Sequence, residues 1–189
     1  NTSGYTSYGK ICLFKNNYDE AIKFSTKAID LDSKNFYALM IKGVAHHSLG
    51  EYQKALISYE NSISLNKFFP DLYNNYGVTL SKLNKNIEAI EAFKKSISLN
   101  DKFPEAIRNL AKEYALVDNP SVNFDLNYDR FNKALLLIDK SLNLKPDYID
   151  GLRTKSLILL NLNKYNDALT IQKKLTKLDS KNAVDFCKD

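Results

Sequence analysis

Apolar positions recur along this chain with helical spacing, in short stretches separated by polar turns. In residues 36–69, Leu39, Gly43 and His46 fall at i, i+4 and i+7, on one face of a helix. Gly50-Glu51 interrupts the stretch, and glycine just past a periodic run is a helix C-terminal signal. A second run follows through Tyr52, Ala55, Leu56, Tyr59, Ser62 and Ile63 and ends near Leu65-Asn66. The pattern predicts two antiparallel helices joined by a short turn. Gly43 and Ala55 are expected where the helices cross, because small side chains let the axes approach. Ser62 is expected to serve the same purpose against the next pair. Leu39, Tyr52, Tyr59 and Leu65 then fill the space around the crossings.

This pattern returns at a fixed interval. Alanine stands at Ala21, Ala55, Ala89, Ala134 and Ala168, in steps of 34, 34, 45 and 34 residues. Three residues earlier lies an aromatic-biased position: Tyr18, Tyr52, Asn86, Phe131 and Tyr165. Ten residues later lies a leucine: Leu31, Leu65, Leu99, Leu144 and Leu178. A small residue leads each unit: Gly9, Gly43, Gly77, Ala111 and Ser156. A period of this size marks stacked supersecondary units. The units run 2–35, 36–69, 70–103, 104–148 and 149–182, and the 45-residue step carries an 11-residue insertion. In the fourth unit the first helix is expected over 104–116 and the second over 129–144, with Asn119-Pro120 breaking the chain between them. In the intervening segment, 117–128, Val122, Phe124, Leu126 and Tyr128 alternate with polar residues. That segment reads either as a tolerated surface insertion or as a loop that lies against a partner. Residues 183–189 are expected to open a further first helix, with Phe186 at its aromatic position, so the native protein is expected to continue.

The repeated residues resemble the tetratricopeptide repeat, a 34-residue helix–turn–helix with aromatic, Leu-Gly, Tyr, Ala, Phe and Pro at set offsets. Residues 70–103 carry the pattern as Tyr73, Tyr76-Gly77, Leu80, Ala89 and Phe93. The closing proline survives as Pro146, with Ser33, Lys67, Asp101 and Ser180 in the equivalent places, and Lys42 and Lys155 stand where leucine is usual. The resemblance implies an all-α fold: a right-handed α-solenoid of antiparallel helix pairs, forming one domain over 1–189.

Composition narrows the function classes. The net charge of +5 comes mainly from lysines spread along every unit; the arginines are Arg108, Arg130 and Arg153. A nucleic-acid face clusters its cations with stacking aromatics, so no nucleic-acid partner is expected. No apolar run reaches the ~20 residues that span a bilayer. No leader pattern opens the chain, which favours the cytoplasm, although a start at Asn1 leaves a removed leader open. Cys12 and Cys187 lie near opposite ends of the array, too far apart for the ~7 Å Cα separation of a disulfide. His46 and His47 are adjacent, so on a helix they point about 100° apart and do not chelate one ion. His46 and Cys12 hold equivalent core positions and read as packed side chains. No phosphate loop, nucleophile elbow or Cys-x-x-Cys is present. The chain therefore reads as non-enzymatic by itself, with no cofactor and no metal.

Stacked repeats offer an extended concave surface, which in similar proteins is lined by the first helix of each unit. The matching offsets hold Thr6, Ser7, Lys10 and Leu13 in unit one and Tyr37, Met40, Ile41, Val44 and His47 in unit two. Unit three offers Asp71, Asn74, Asn75, Val78 and Lys82. Unit four offers Glu105, Arg108, Asn109 and Lys112, and unit five offers Asp150, Arg153, Thr154 and Leu157. The second unit is apolar, the third amide-rich, the last two cationic. Forked guanidinium donors suit carboxylates, so an extended peptide with an apolar anchor and acidic residues is the expected ligand. The opposing expectation is that Glu105 and Asp150 neutralise Arg108 and Arg153. Asn74, Asn75 and Asn109 resemble the amide ladder in the repeat arm of O-linked N-acetylglucosamine transferase, with Ser7, Ile41 and Thr154 in the other places. Relatives that hold the acidic tails of heat-shock chaperones place Lys and Asn, then Asn, then Lys and Arg on successive first helices. Here those places hold Asn74 and Val78, then Asn109, then Asp150 and Thr154, so tight binding of such tails is not expected. Two further readings are the substrate-selecting arm of a larger enzyme such as a glycosyltransferase, and a self-associating scaffold.

Overall fold

The structure is a computed structural model describing the backbone of residues 1–116 and 124–186, with side chains described over 1–116 and 129–179. The described residues form ten α-helices and no strands: α1 (Thr2–Phe14), α2 (Tyr18–Leu31), α3 (Phe36–Ser48), α4 (Tyr52–Leu65), α5 (Pro70–Lys82), α6 (Asn86–Leu99), α7 (Pro104–Leu116), α8 (Phe124–Leu144), α9 (Ile149–Asn161) and α10 (Tyr165–Phe186). The fold is all-α, built from successive helix pairs. The chain divides into two compact units, Asn1–Leu99 and Asn100–Asp189. In the first, α1–α2, α3–α4 and α5–α6 pair, α2 packs on α3 and α4 on α5, and α3 touches both α1 and α5. In the second, α7–α8 and α9–α10 pair, α8 packs on α9, and α7 touches α9.

The repeat alanines Ala21, Ala55, Ala89, Ala134 and Ala168 are all buried at the pair interfaces. The expected reason for the leading small residue holds at Gly43. A Cβ there would lie 2.6 Å from the buried Tyr59 ring, and one on Gly77 would lie 2.7 Å from Phe93. The ring of the second helix occupies the space that a side chain on the first would need. At Gly9 the neighbour is Ile41 Cγ2, 3.3 Å from the Cβ position.

The turn between paired helices repeats one backbone feature. Asn16, Gly50, Asn84 and Asn163 have φ of 57°, 77°, 59° and 57°. Gly50 is the expected cap, and asparagine replaces it in three other units, because Asn tolerates the left-handed region better than most residues. The following amides close the helix end: Asn17 N donates to the Cys12 carbonyl and Glu51 N to that of His46, both at 2.9 Å.

One feature adds to the sequence expectation and two differ from it. Ser62 has a role beyond its small size; its hydroxyl donates back to the Phe36 carbonyl at 2.7 Å, as Ser96 does to Pro70 and Ser141 to Pro104, both at 2.8 Å. Each buried hydroxyl thus ties the second helix to the start of the first helix of its own pair. The second helix of the fourth unit begins at Phe124 and not at 129, so the backbone at Phe124, Leu126 and Tyr128 is helical and the extended alternating loop does not span them. Val122 lies outside the described residues, and so does Cys187. Finally, α10 runs unbroken to Phe186, so residues 183–186 continue that helix where a new one was expected.

Candidate functional site

In the first compact unit, the first helices α1, α3 and α5 carry the candidate surface. Tyr37 is half-buried, packs edge-on against Phe36 and Phe69, and has the Lys10 ammonium 5.9 Å from its ring centroid. Beside it opens a cleft of about 520 Å³ lined by Thr6, Ser7, Lys10, Asn35 and Tyr37. Val44 and Val78 are half-buried. Met40 is buried with Ala55, Tyr59 and Leu72 in a core cluster, and Ile41 is 1% exposed. Both expected groove side chains therefore belong to the interior. Ile41 fills the space beside Gly9, because the glycine leaves room for it against α1.

The polar groups here are engaged. His47 Nδ1 lies 2.8 Å from Thr79 Oγ1, and Thr79 donates to the Asn75 carbonyl at 2.9 Å. With that proton committed, the Thr79 hydroxyl accepts from His47, linking α3 to α5. The buried Tyr59 hydroxyl also bonds Thr79, and burial drives its pKa far above the tyrosine range. Burial, and then the Lys82 charge, push the His47 pKa down. Asn74 is buried and already partnered; Asn75 is half-buried. Burial, helped by Glu60, raises Tyr76 to about 12, and Tyr76 donates to Glu60 at 3.1 Å.

In the second compact unit, α7 and α9 bring Arg108 and Arg153 to one carboxylate. Arg108 Nη2 lies 4.0 Å from Asp150 Oδ2, and Arg153 Nη1 lies 3.6 Å from Asp150 Oδ1. The two arginines differ in role. Arg108 is 19% exposed, donates through Nε and Nη2 to the Tyr148 hydroxyl at 3.2 and 3.0 Å, and lies over that ring. Arg153 is 62% exposed. Glu105 pairs with Lys145 at 3.0 Å and not with an arginine. Lys112 is exposed, Leu157 is partly exposed, and Asn109 is buried and already partnered.

The two core positions behave as packed groups. His46 is buried, its Nδ1 donating to Glu51 at 2.6 Å; Lys54 holds the other carboxylate oxygen at 2.7 Å. The bonds from Lys54 and His46 hold Glu51 below the ordinary glutamate pKa. Cys12 is buried 3.9 Å from a Glu20 oxygen, and burial, followed by that carboxylate, pushes the thiol up, away from the reactive thiolate. Among the described residues, no three His, Cys, Asp or Glu side chains gather as a metal site requires, and no helix is long and apolar enough to cross a membrane.

The family model of the tetratricopeptide repeat matches residues 2–35, 36–69 and 70–103, three consecutive units in the register of the alanines. The chain belongs to the tetratricopeptide repeat family. Among curated proteins, anaphase-promoting complex subunit 7 of Homo sapiens is 25% identical over 159 residues, 84% of this chain and 26% of that protein; the Mus musculus protein matches to the same extent. The chain thus spans about a quarter of the length of the curated relatives it matches. Among solved structures, a MamA protein superposes with TM-score 0.72 at 22% identity, covering 96% of this chain and 93% of that one. YrrB, described as a TPR protein with an unusual peptide-binding site, gives 0.68 at 19%, covering 94% and 86%. The pilF protein of Pseudomonas aeruginosa gives 0.78 at 18%, covering 93% and 75%. These likenesses show the fold, and the tetratricopeptide repeat makes the chain a protein-interaction module.

Two recurring features of these tetratricopeptide units escaped the sequence reading: the left-handed asparagines at the turns and the serine bond back to the first helix. Both were signalled by period, since Asn16, Asn84 and Asn163 share the register of Gly50, and Ser62, Ser96 and Ser141 share another.

Proposed function

We propose that this tetratricopeptide chain is a non-catalytic module that binds an extended peptide or partner segment on its first-helix faces. The first compact unit offers Tyr37, Val44 and Val78 to apolar side chains, and the second offers Arg153 and Lys112 to acidic ones. The observation that carries the acidic preference is the sharing of one carboxylate, Asp150, by two guanidinium groups, one of them largely solvent-facing. One carboxylate offsets one charge, so the surface stays positive, and Arg153 keeps donors for a ligand carboxylate. The peptide-binding site named for YrrB and the complex membership named for anaphase-promoting complex subunit 7 both support a protein ligand.

Arg108 supports the site by position. Its two bonds to Tyr148 hold α7 against the start of α9, so a charge reversal there would disturb packing as well as binding. The test is a quantitative pulldown from native host lysate with wild-type bait beside Lys112→Glu/Arg153→Glu, both checked for folding by circular dichroism. A partner captured by wild type and lost from the folded variant is the expected result. Equal capture by both overturns the acidic-ligand reading.

A further inference from the structure

A second surface lies away from the first-helix positions treated above. In the first compact unit, α2, α3 and α4 enclose an open cleft of about 410 Å³ lined by Ile29, Leu39, Lys42, Ile57 and Asn61, with His46 and Lys54 at its edge. Lys42 occupies a repeat position that leucine normally fills. It makes no ion pair among the described residues. The Glu51 carboxylate pairs instead with His46 and Lys54, which also line the cleft. Ile57 is 58% exposed, leaving an apolar wall open beside the ammonium.

The fifth repeat supplies an internal comparison. There Lys155 stands in the register of Lys42, and the equivalent cleft, about 350 Å³, includes Leu135, Leu159 and Ile171. In that cleft the lysine is satisfied from within: Lys155 Nζ lies 2.7 Å from Asp139 Oδ1 on α8. Asp139 is five residues past the repeat alanine Ala134, and the residue five past Ala21 is Thr26. The second repeat thus keeps the lysine, sets it beside apolar walls of its own at Ile29, Leu39 and Ile57, and has Thr26 where the fourth unit has the carboxylate that answers Lys155. An ammonium beside apolar surface gains most from a partner that brings both a charge and an aliphatic group.

We propose that the cleft around Lys42 is a docking site for a protein segment in which an aspartate or glutamate is flanked by aliphatic residues. The acidic side chain takes the place that Asp139 holds at Lys155, and the aliphatic neighbours cover Ile29 and Ile57. The site is independent of Lys112 and Arg153, so either can fail without the other.

The test is a heteronuclear NMR titration of the full chain with the tripeptide acetyl-Leu-Glu-Leu-amide, with its Leu-Gln-Leu analogue as control. The expected result is saturable shifts of Lys42, Ile57 and Asn61 signals, with roughly tenfold weaker binding of the glutamine analogue. Lys42→Met is expected to remove the difference between the two peptides. Thr26→Asp, which installs the internal carboxylate of the fifth repeat, is expected to block the glutamate peptide while the spectrum stays folded. Shifts absent from the cleft, equal for both peptides, or unchanged in Lys42→Met overturn the proposal. Concentration-dependent broadening of the same signals without peptide also overturns it, in favour of a second copy as occupant.

Discussion

Single residues in this molecule are constrained by what the facing helix puts opposite them. Gly43 and Gly77 leave room for the Tyr59 and Phe93 rings, which are almost wholly buried and cannot swing aside. Alanine would gain about 1 kcal/mol of helix propensity and lose about 1–3 kcal/mol to overpacking. The net expectation for Gly43→Ala is a loss of about 1 kcal/mol in urea denaturation; a stabilised variant would mean that the ring yields freely. His47 makes stability depend on pH. Its folded pKa is lowered, so the unfolded state binds the proton more readily, and the stability it supports is present above the unfolded value of 6.5 and lost as pH falls through the folded value. Glu51, also lowered, adds a second loss below its ordinary 4.5. Thermal unfolding of His47→Gln against wild type between pH 7 and pH 5 checks the first step; the wild type is expected to lose more. Much at this scale was legible in advance. The buried roles of His46 and Cys12 and the small size of Gly43 followed from register alone. Ile41 and Arg108 were harder to place, because an offset says which face a residue shares but not how far its neighbour retreats or which ring it meets.

At the scale of the element, two devices recur in the repeat register, the left-handed residue in units one, two, three and five and the serine bond in units two, three and four. A left-handed residue turns the chain, and a buried serine returns to the first helix. Asn84→Gly is expected to be neutral or slightly stabilising, and Asn84→Val to cost about 1–2 kcal/mol, since a β-branched residue resists positive φ. Ser96→Ala is expected to cost about 1 kcal/mol for the lost bond to Pro70. Equal stability of the glycine and valine variants would remove the turn from the list of devices. Helix existence was readable because apolar spacing and punctuation agreed in five units. The start of α8 was not, because the alternation through Phe124, Leu126 and Tyr128 has the period of an extended segment and not of one helix face, and a local pattern does not weigh the contacts that favour the helix.

For the whole molecule, the repeat register decides the fold class and the comparisons confirm it, while the ligand depends on surfaces that vary between units. The apolar character of the first compact unit, at Tyr37, Val44 and Val78, and the cationic character of the second, at Lys112 and Arg153, come from positions the fold leaves at least partly open. That is why the family was legible and the partner is not. The central claim is that binding belongs to the first helices. Photocrosslinkers placed singly at the first-helix positions Val44, Val78, Lys112 and Leu157 test it directly, compared with the exposed second-helix positions Ile87, Leu136 and Leu169 in the same native lysate. Adducts to a common partner from the first set, absent from the second, are the predicted result. Adducts confined to Ile87, Leu136 and Leu169 would contradict the account.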